Sequence, residues 1–361
     1  MKIDFINLQA QYQKYKSDID KQIQEVLETS VYIGGKVKEL EQNLSKYTSC
    51  KHSIACSSGT DALLLSLMAI DIKPDDEVIT TPFTFIATAE VIAFLKAKPV
   101  FVDIDEKTFN IDADKIEEKI TSKTKAIIPV SLFGQVPDID TINQIAKKHN
   151  LKVIEDGAQS FGATYKNKTS CSLSDIGTTS FFPAKPLGCY GDGGAIFTNN
   201  DKLASKIRIL LDHGQTKKYT HSHIGINGRL DALQAGVLIA KLKYYKKELS
   251  TRQNIASYYG RHLKNVATPF VQDGCVSAWA QYCILVKDRD KMIEHCEANG
   301  VPTGVYYPIP LHMQEVFKYL KHNEYDFPIS LKVSKDILAL PMSAFLKKEQ
   351  QDYIIKVVNH G

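Results

Sequence analysis

The stretch Thr178–Asn200, TTSFFPAKPLGCYGDGGAIFTNN, holds one lysine, Lys185, between Pro183 and Pro186. Each proline fixes its own φ, lacks an N–H and biases the residue before it away from helix. Phe182–Leu187 is therefore expected to be a stiff loop that presents one amine in one place. A strand-like run, Ile176–Phe182, leads in, and Gly191, Gly193 and Gly194 lead out into a second strand, Ala195–Thr198. Glycines at that density permit positive φ and close backbone approach, as is usual beside a ligand. The lysine is either a solvated loop residue between two hairpin strands or, beside apolar Phe181 and Phe182, a Schiff-base lysine. In the second case desolvation must lower its pKa to make the amine nucleophilic.

Two further stretches could serve that chemistry. The apolar strand Leu151–Glu155 ends in Glu155-Asp156-Gly157-Ala158-Gln159-Ser160. An acid there either caps the next turn or faces a pyridine nitrogen, keeping that ring protonated as pyridoxal phosphate chemistry requires. After an earlier strand comes Cys56-Ser57-Ser58-Gly59-Thr60-Asp61, a small-residue turn that opens a helix. It is either an ordinary Ser/Thr cap or a phosphate cradle made of free N–H groups at the positive end of the helix. No Walker G-K-[ST] is present. Phe85, after Thr80-Thr81-Pro82, either lies on a planar ring or belongs to the core. Asn227 and Arg229, just ahead of a long helix, are reasonable anion or carboxylate ligands, with a surface salt bridge as the other reading of Arg229. The aromatic and proline-rich run Val305–His312 is a scaffold or a lid over substrate.

The elements that must position these residues follow from periodicity. Residues 9–29 and 36–48 read as amphipathic helices. From Ser53 on, short apolar strands (Ser53–Cys56, Glu77–Thr80, Pro99–Asp103, Ala126–Val130, Lys152–Glu155) alternate with helical stretches (Gly59–Ile70, Thr88–Lys96, Asp112–Ile120, Asp138–His149). That alternation predicts an α/β fold with a mainly parallel sheet covered on both faces, and ligands at the carboxyl ends of its strands. Asp201–Leu211 and a long helix from about Leu230 toward Leu263 come next, then a strand at Trp279–Val286 and helices at Lys291–Asn299 and Lys348–Val358. A chain of 361 residues exceeds one ordinary core. The expected division is a large domain over 1–248, with an N-terminal helical segment, and a smaller C-terminal α+β domain over 249–361.

Composition narrows the class. Apolar content of 43% and charged content of 24% are those of a globular chain, and the net charge of +4 forms no runs. This argues against a nucleic-acid partner and suits an anionic small molecule. MKIDFINLQAQ has no apolar core of a leader peptide, and no run reaches membrane-span length. The seven cysteines (Cys50, Cys56, Cys171, Cys189, Cys275, Cys283, Cys296) are odd in number and contain no C-x-x-C pair. Free thiols in a reducing cytoplasm are expected, with neither a disulfide frame nor a metal site.

Several segments in order then resemble one family: SSGTDALLLSL, VITTPFTFIATAEVI, VFVDID, AIIPVSLFGQ, VIEDGAQSFGATYKN, SFFPAKPLGCYGDGGAIFTN, RLDALQAGVL and YYPIPLH. Together they resemble the DegT/DnrJ/StrS sugar-nucleotide aminotransferases, enzymes of the fold-type I, pyridoxal 5'-phosphate-dependent class. The resemblance implies that Lys185 joins the cofactor covalently and then shuttles the proton. Asp156 becomes the pyridine-nitrogen partner and Gln159 the neighbour of the ring hydroxyl. Gly59, Thr60 and Ser180 become phosphate ligands, and Phe85 an aromatic on the ring face. Asn227 would be a phosphate ligand supplied by a second subunit, so a homodimer with shared active sites is implied. Arg229 would meet a substrate carboxylate, with Tyr306, Tyr307 and His312 on the sugar-nucleotide side.

In family dehydratases a histidine replaces the lysine, so Lys185 implies transamination, with L-glutamate leaving as 2-oxoglutarate. The sequence resembles in particular the branch that aminates C3 of UDP-linked 2-acetamido-3-keto sugars, including the uronate, on routes to lipopolysaccharide (lipid A or O-antigen) or other glycans. It departs from the uronate enzymes at Tyr306, where histidine is expected, and at Asp212-His213 in place of Arg-His. The uncharged UDP-3-keto-N-acetylglucosamine is therefore an alternative substrate. C4 amination of a 4-keto-6-deoxy sugar nucleotide and a non-catalytic, cofactor-binding regulator are the other readings.

Overall fold

The computed structural model describes the whole chain, Met1–Gly361. Two helices come first. α1 (Leu8–Thr29) is capped by the Asn7 side chain, which accepts from the Ala10 N–H, and buries Tyr15, Ile19 and Val26. α2 (Lys36–Thr48) buries Leu40 and Leu44 at helical spacing. Both pack on a much longer helix met later in the chain.

The α/β portion builds a seven-stranded sheet. In chain order its strands are β1 (His52–Cys56), β2 (Glu77–Thr80), β3 (Lys98–Phe101), β4 (Thr124–Ile127), β5 (Lys152–Asp156), β6 (Ile176–Ser180) and β7 (Gly194–Thr198). Their spatial order is β1-β7-β6-β5-β4-β2-β3. β7 runs antiparallel to β6 and to β1, while β2 through β6 pair in parallel. Successive strand residues go to opposite faces, and both faces are covered. Ile54, Val78, Ala126, Ile154, Ile176 and Ile196 join a core with α3 (Gly59–Ala69), α4 (Ala87–Phe94) and α6 (Asp201–Leu211). Ala55, Ala195 and Phe197 pack against α2 and α7 (Ala232–His262), and Ile79, Ile127 and Val153 against α5 (Ile139–Lys148). Sheets buried on both sides favour near-continuous apolar runs; β7 (GAIFT) is one, whereas β6 (IGTTS) is buried with small and hydroxylated residues.

The antiparallel strand decides where the lysine loop goes. Gly194, the first residue of β7, is in register with both Ser180 and Cys56, the last residues of β6 and β1. Residues 181–193 are thus an excursion from the carboxyl edge of the sheet that returns to the same edge. The strand-like reading of Phe181 and Phe182 is corrected, since β6 stops at Ser180.

Beyond α7 a smaller layer forms from β8 (Tyr282–Leu285) paired antiparallel with β9 (Ile337–Leu340), plus α8 (Arg289–Ala298), α9 (Pro328–Asp336) and α10 (Lys348–Asn359). Its core takes Ile255 and Tyr259 from α7 and Ile3 from the start of the chain. α7 runs for 31 residues straight through Leu249, so a helix and not a linker joins the two parts. The stretch Asp112–Ile120, expected as a helix, folds as two 3-10 turns, Ala113–Lys115 and Glu117–Lys119. It has one fully buried anchor, Ile116, too little to hold a nucleated α-helix among so many charges. All seven cysteines are free thiols. No helix is long and apolar enough to cross a membrane.

Glycine placement makes two opposite expectations. A Cβ on Gly177, within β6, would lie 2.1 Å from the Cys171 carbonyl oxygen, whereas one on exposed Gly260, in α7, meets nothing nearer than 3.6 Å. Gly177→Ala is expected to lose ~1–3 kcal/mol through overpacking. Gly260→Ala is expected to gain ~0.5–1 kcal/mol through helix propensity. Thermal unfolding should therefore move in opposite directions for the two variants.

Candidate active site

The lysine loop is closed on itself by backbone bonds. The Phe181 N–H donates to Gly193 O (2.7 Å), Cys189 N–H to Phe181 O (2.7 Å) and Lys185 N–H to Phe182 O (2.8 Å). Gly188 lies so close beneath Pro183 that a Cβ would sit 2.5 Å from the Pro183 carbonyl oxygen. The two prolines and this contact leave Lys185 little freedom. Its side chain is half-buried. Burial pushes its amine below the ordinary lysine value, while the Asp156 carboxylate pulls the other way. The solvated-loop reading of Lys185 is therefore set aside.

Asp156 ends β5 and is 5% exposed. It accepts from the Thr88 hydroxyl (2.8 Å) and the Ala158 N–H (3.2 Å). Burial holds its carboxyl above the usual range, opposed by those two donors and by Lys185. Its neighbour Glu155 points to the other face, as strand alternation requires. Glu155 is fully buried and accepts from Ser131 Oγ (2.9 Å), Ser170 Oγ (2.6 Å) and the Cys171 N–H (2.8 Å). One acid is thus anchored on three donors inside the protein while the other is left toward the lysine. Gln159 accepts from the Phe133 N–H (2.8 Å) and donates to the Tyr307 hydroxyl (3.1 Å). Burial and the nearby Asp156 raise the Tyr307 phenol, so that hydroxyl stays protonated.

The small-residue turn lies against the end of β6. Ser58 caps α3, its hydroxyl accepting from the Asp61 N–H (3.0 Å). Gly59 and Thr60 begin the helix, whose first N–H groups have no partner within it. A Cβ on Gly59 would fall 2.7 Å from Ser180 Cβ, and one on Gly194 would fall 2.4 Å from Ser58 O. Glycine at both positions lets the helix start, the Ser180 hydroxyl and the strand ends share one small space.

The other candidates divide. Phe85 is 55% exposed and not core, its ring 6.3 Å from that of Tyr307. Tyr306 packs edge-on to Tyr307 and against Phe5. Asn227 is exposed, one residue before Gly228, whose carbonyl accepts the Ser57 N–H (2.8 Å). Arg229 bridges Cys56 at the end of β1, and its guanidinium forms an ion pair with Asp212. His312 follows Leu311, whose N–H donates to Pro82 O (2.7 Å). It is 2% exposed, with Nε2 on Glu324 O (3.3 Å) and its ring 4.8 Å from Phe327. Thr88 was not among the residues singled out from sequence. It lies inside the apolar run Ile86–Phe94, and nothing local marks its hydroxyl as bonded to an acid sixty-eight positions away.

The family model for DegT/DnrJ/EryC1/StrS aminotransferases matches residues 13–359. The chain belongs to that family. It is 48% identical to the UDP-2-acetamido-2-deoxy-3-oxo-D-glucuronate aminotransferase of Pseudomonas aeruginosa, over 95% of this chain and 96% of that one. A crystal structure of a DegT DnrJ EryC1 StrS aminotransferase from Brucella abortus superposes with a TM-score of 0.96 at 40% identity, covering 99% of each chain. NtdA from Bacillus subtilis, solved with bound cofactor PMP, superposes with a TM-score of 0.88 at 34% identity, over 96% of this chain and 82% of that one. The fold is that of the pyridoxal-phosphate-dependent aminotransferases, and pyridoxal 5'-phosphate is the cofactor. The residues present fit it: one amine with its pKa lowered by burial, one buried carboxyl with two donors, an exposed aromatic ring, and a glycine-built helix start beside a serine hydroxyl. No three His, Cys, Asp or Glu side chains converge as metal ligands.

The Thr88–Asp156 bond yields a sign-defined test. Removing the donor in Thr88→Val takes away a contact that favours the charged carboxylate, so the Asp156 pKa rises further. Thr88→Val is expected to lose about tenfold in kcat/KM, of the order of one charge-assisted hydrogen bond. The acid limb of the pH–rate profile should shift to higher pH, and steady-state kinetics across pH checks both.

Proposed function

We propose that this aminotransferase moves the amino group of L-glutamate to C3 of a UDP-linked 2-acetamido-3-keto hexose, making a 2,3-diamino sugar nucleotide for a surface glycan. The observation that carries the chemistry is the half-buried Lys185 amine held near the buried Asp156 carboxyl at the carboxyl edge of the sheet. When bound, pyridoxal phosphate supplies an electron sink for the carbon that loses a proton. Lys185 would hold the cofactor and move that proton, and burial lowers its amine in the direction a general base needs. Asp156, kept in place by Thr88 and the Ala158 N–H, keeps the pyridine nitrogen protonated. The α3 start and Ser180 would hold the phosphate, with Gln159 and Tyr307 toward the ring hydroxyl and Phe85 toward one ring face.

The sugar is inferred from the Pseudomonas aeruginosa relative together with the anion-suited charge of the chain. Arg229 is our choice for a substrate carboxylate, and Tyr306 and Tyr307 for the sugar side. A homodimer with shared sites is part of this reading, supported by the exposed Asn227 and by Tyr219 and Ile224, which are 82% and 90% exposed on the loop before it. The Arg229–Asp212 ion pair favours the uncharged UDP-3-keto-N-acetylglucosamine over its uronate, because a substrate carboxylate would have to displace Asp212.

Two expected outcomes follow. Lys185→Ala should still bind pyridoxal phosphate but lose about 10³-fold or more in the release of 2-oxoglutarate from L-glutamate; a variant with appreciable turnover would sink the assignment. A wild-type visible spectrum that glutamate leaves unchanged would point instead to a cofactor-binding regulator. With the UDP-3-keto sugar and its uronate generated in situ by a dehydrogenase, and product position read by NMR, Asp212→Asn should raise the uronate-to-neutral kcat/KM ratio about tenfold. No change in that ratio would remove Arg229 from substrate recognition.

A further inference from the structure

One buried charge takes no part in the site as described. Lys241, in the middle of α7, is 2% exposed, and its ammonium donates to the Gly188 carbonyl at the end of the lysine loop. No carboxylate forms a salt bridge with it. The groups around it are Tyr190, whose ring centroid lies 5.3 Å away, Cys189, and Glu248 and Arg252 further along α7. Glu248 is itself occupied by the Gln11 amide from α1, at 3.1 and 3.0 Å from its two oxygens. A buried, unpaired ammonium is costly to maintain unless a hydrogen bond that only it can supply is needed there.

The bond it supplies falls at the loop's pivot. Gly188 has no room for a Cβ, since one would lie 2.5 Å from Pro183 O and 2.7 Å from Phe182 O. Any shift of its carbonyl is therefore passed directly to the two residues whose backbone positions Lys185, and Phe182 O also accepts the Lys185 N–H (2.8 Å). The next residue, Cys189, returns the chain to Phe181 O. We propose that Lys241 is a positioning residue: by holding the Gly188 carbonyl it fixes the height and aim of the Lys185 amine over the cofactor site. This deepens the transaminase reading and rests on it. Burial also pushes Lys241 down to about 8, opposed by the nearby Glu248.

Lys241→Met, of similar volume and without a donor, tests the assignment in the full-length enzyme. Pyridoxal phosphate is titrated into apo protein, and the visible band of the lysine-bound cofactor is followed against pH. The variant is expected to shift the band's titration midpoint by about half a unit or more, since the amine then sits in a different environment. It is also expected to lower kcat about ten- to hundredfold, while KM for glutamate stays within about twofold, as misplacement of a reacting group does. A folded variant with the wild-type midpoint and kcat overturns the proposal. If Lys241→Met does not fold, Lys241→Leu, also without a donor, is measured and read in the same way. Wild-type protein that forms no band with pyridoxal phosphate would overturn the functional reading and this proposal with it; a wild-type band that the variant leaves unmoved overturns only the proposal.

Discussion

The rest of the structure depends on the shared desolvation of Lys185 and Asp156. Burial lowers the amine and raises the carboxyl, so each group is driven toward its neutral form and the two pKa values approach each other. Their mutual attraction opposes both shifts without cancelling either. A pair of this kind does little for stability, because removing charges from water costs about as much as their attraction returns. Its use is chemical: burial makes the amine easier to deprotonate and the carboxyl harder to ionise than in water, so both answer to their local donors and charges. Every donor around Asp156 sets how far it moves, which is why a single threonine on α4 matters.

Such a pair needs a scaffold that brings residues far apart in sequence to one edge of the sheet. The antiparallel β7 does this. A parallel continuation after β6 would have carried the chain over the sheet on a helix; the reversal instead sends residues 181–193 out and back at the carboxyl edge. Glycines at the return point let Ser58, Gly59 and Ser180 meet without a Cβ between them. Strand alternation then separates the two adjacent acids. Glu155 is consumed by three donors on the face toward α2 and α7, and Asp156 emerges on the face toward α3 and α4. Both acids are held by the same five residues of β5, so neither can move without the other.

The sequence made legible whatever was encoded locally. The alternation of apolar strands with helical stretches was enough for a mainly parallel sheet, because buried strands have few other patterns open to them. Lys185 stood out because proline restricts backbone whatever surrounds it, and Asp156 because it closes an apolar strand. What stayed hidden depends on contacts distant in sequence. The Thr88 hydroxyl looks like one more residue of an apolar helix until β5 is laid beside it. The packing of His312 on Phe327, fifteen residues on, is likewise named by no local pattern. Phe85 misled in the opposite direction, since an aromatic near a strand end reads as core, yet it is more than half exposed beside Tyr307. Residues 112–120 failed as a helix because the charges that made the stretch look amphipathic left one buried anchor.

Charge balance at Arg229, our proposed substrate contact, contrasts with that at Lys185 and Asp156. Arg229 differs, because its guanidinium has a carboxylate partner within the chain. In this chain Asp212 is that partner, half-buried with it at the end of β1. A bidentate carboxylate on the substrate would replace one carboxylate by another, and the exchange would leave Asp212 with no counter-ion. A neutral hydroxymethyl group asks for no exchange at all. Burial thus shifts Lys185 and Asp156 toward each other, while at Arg229 an ion pair is completed within the chain; on our proposal the sugar is then selected by shape and hydrogen bonding rather than by charge.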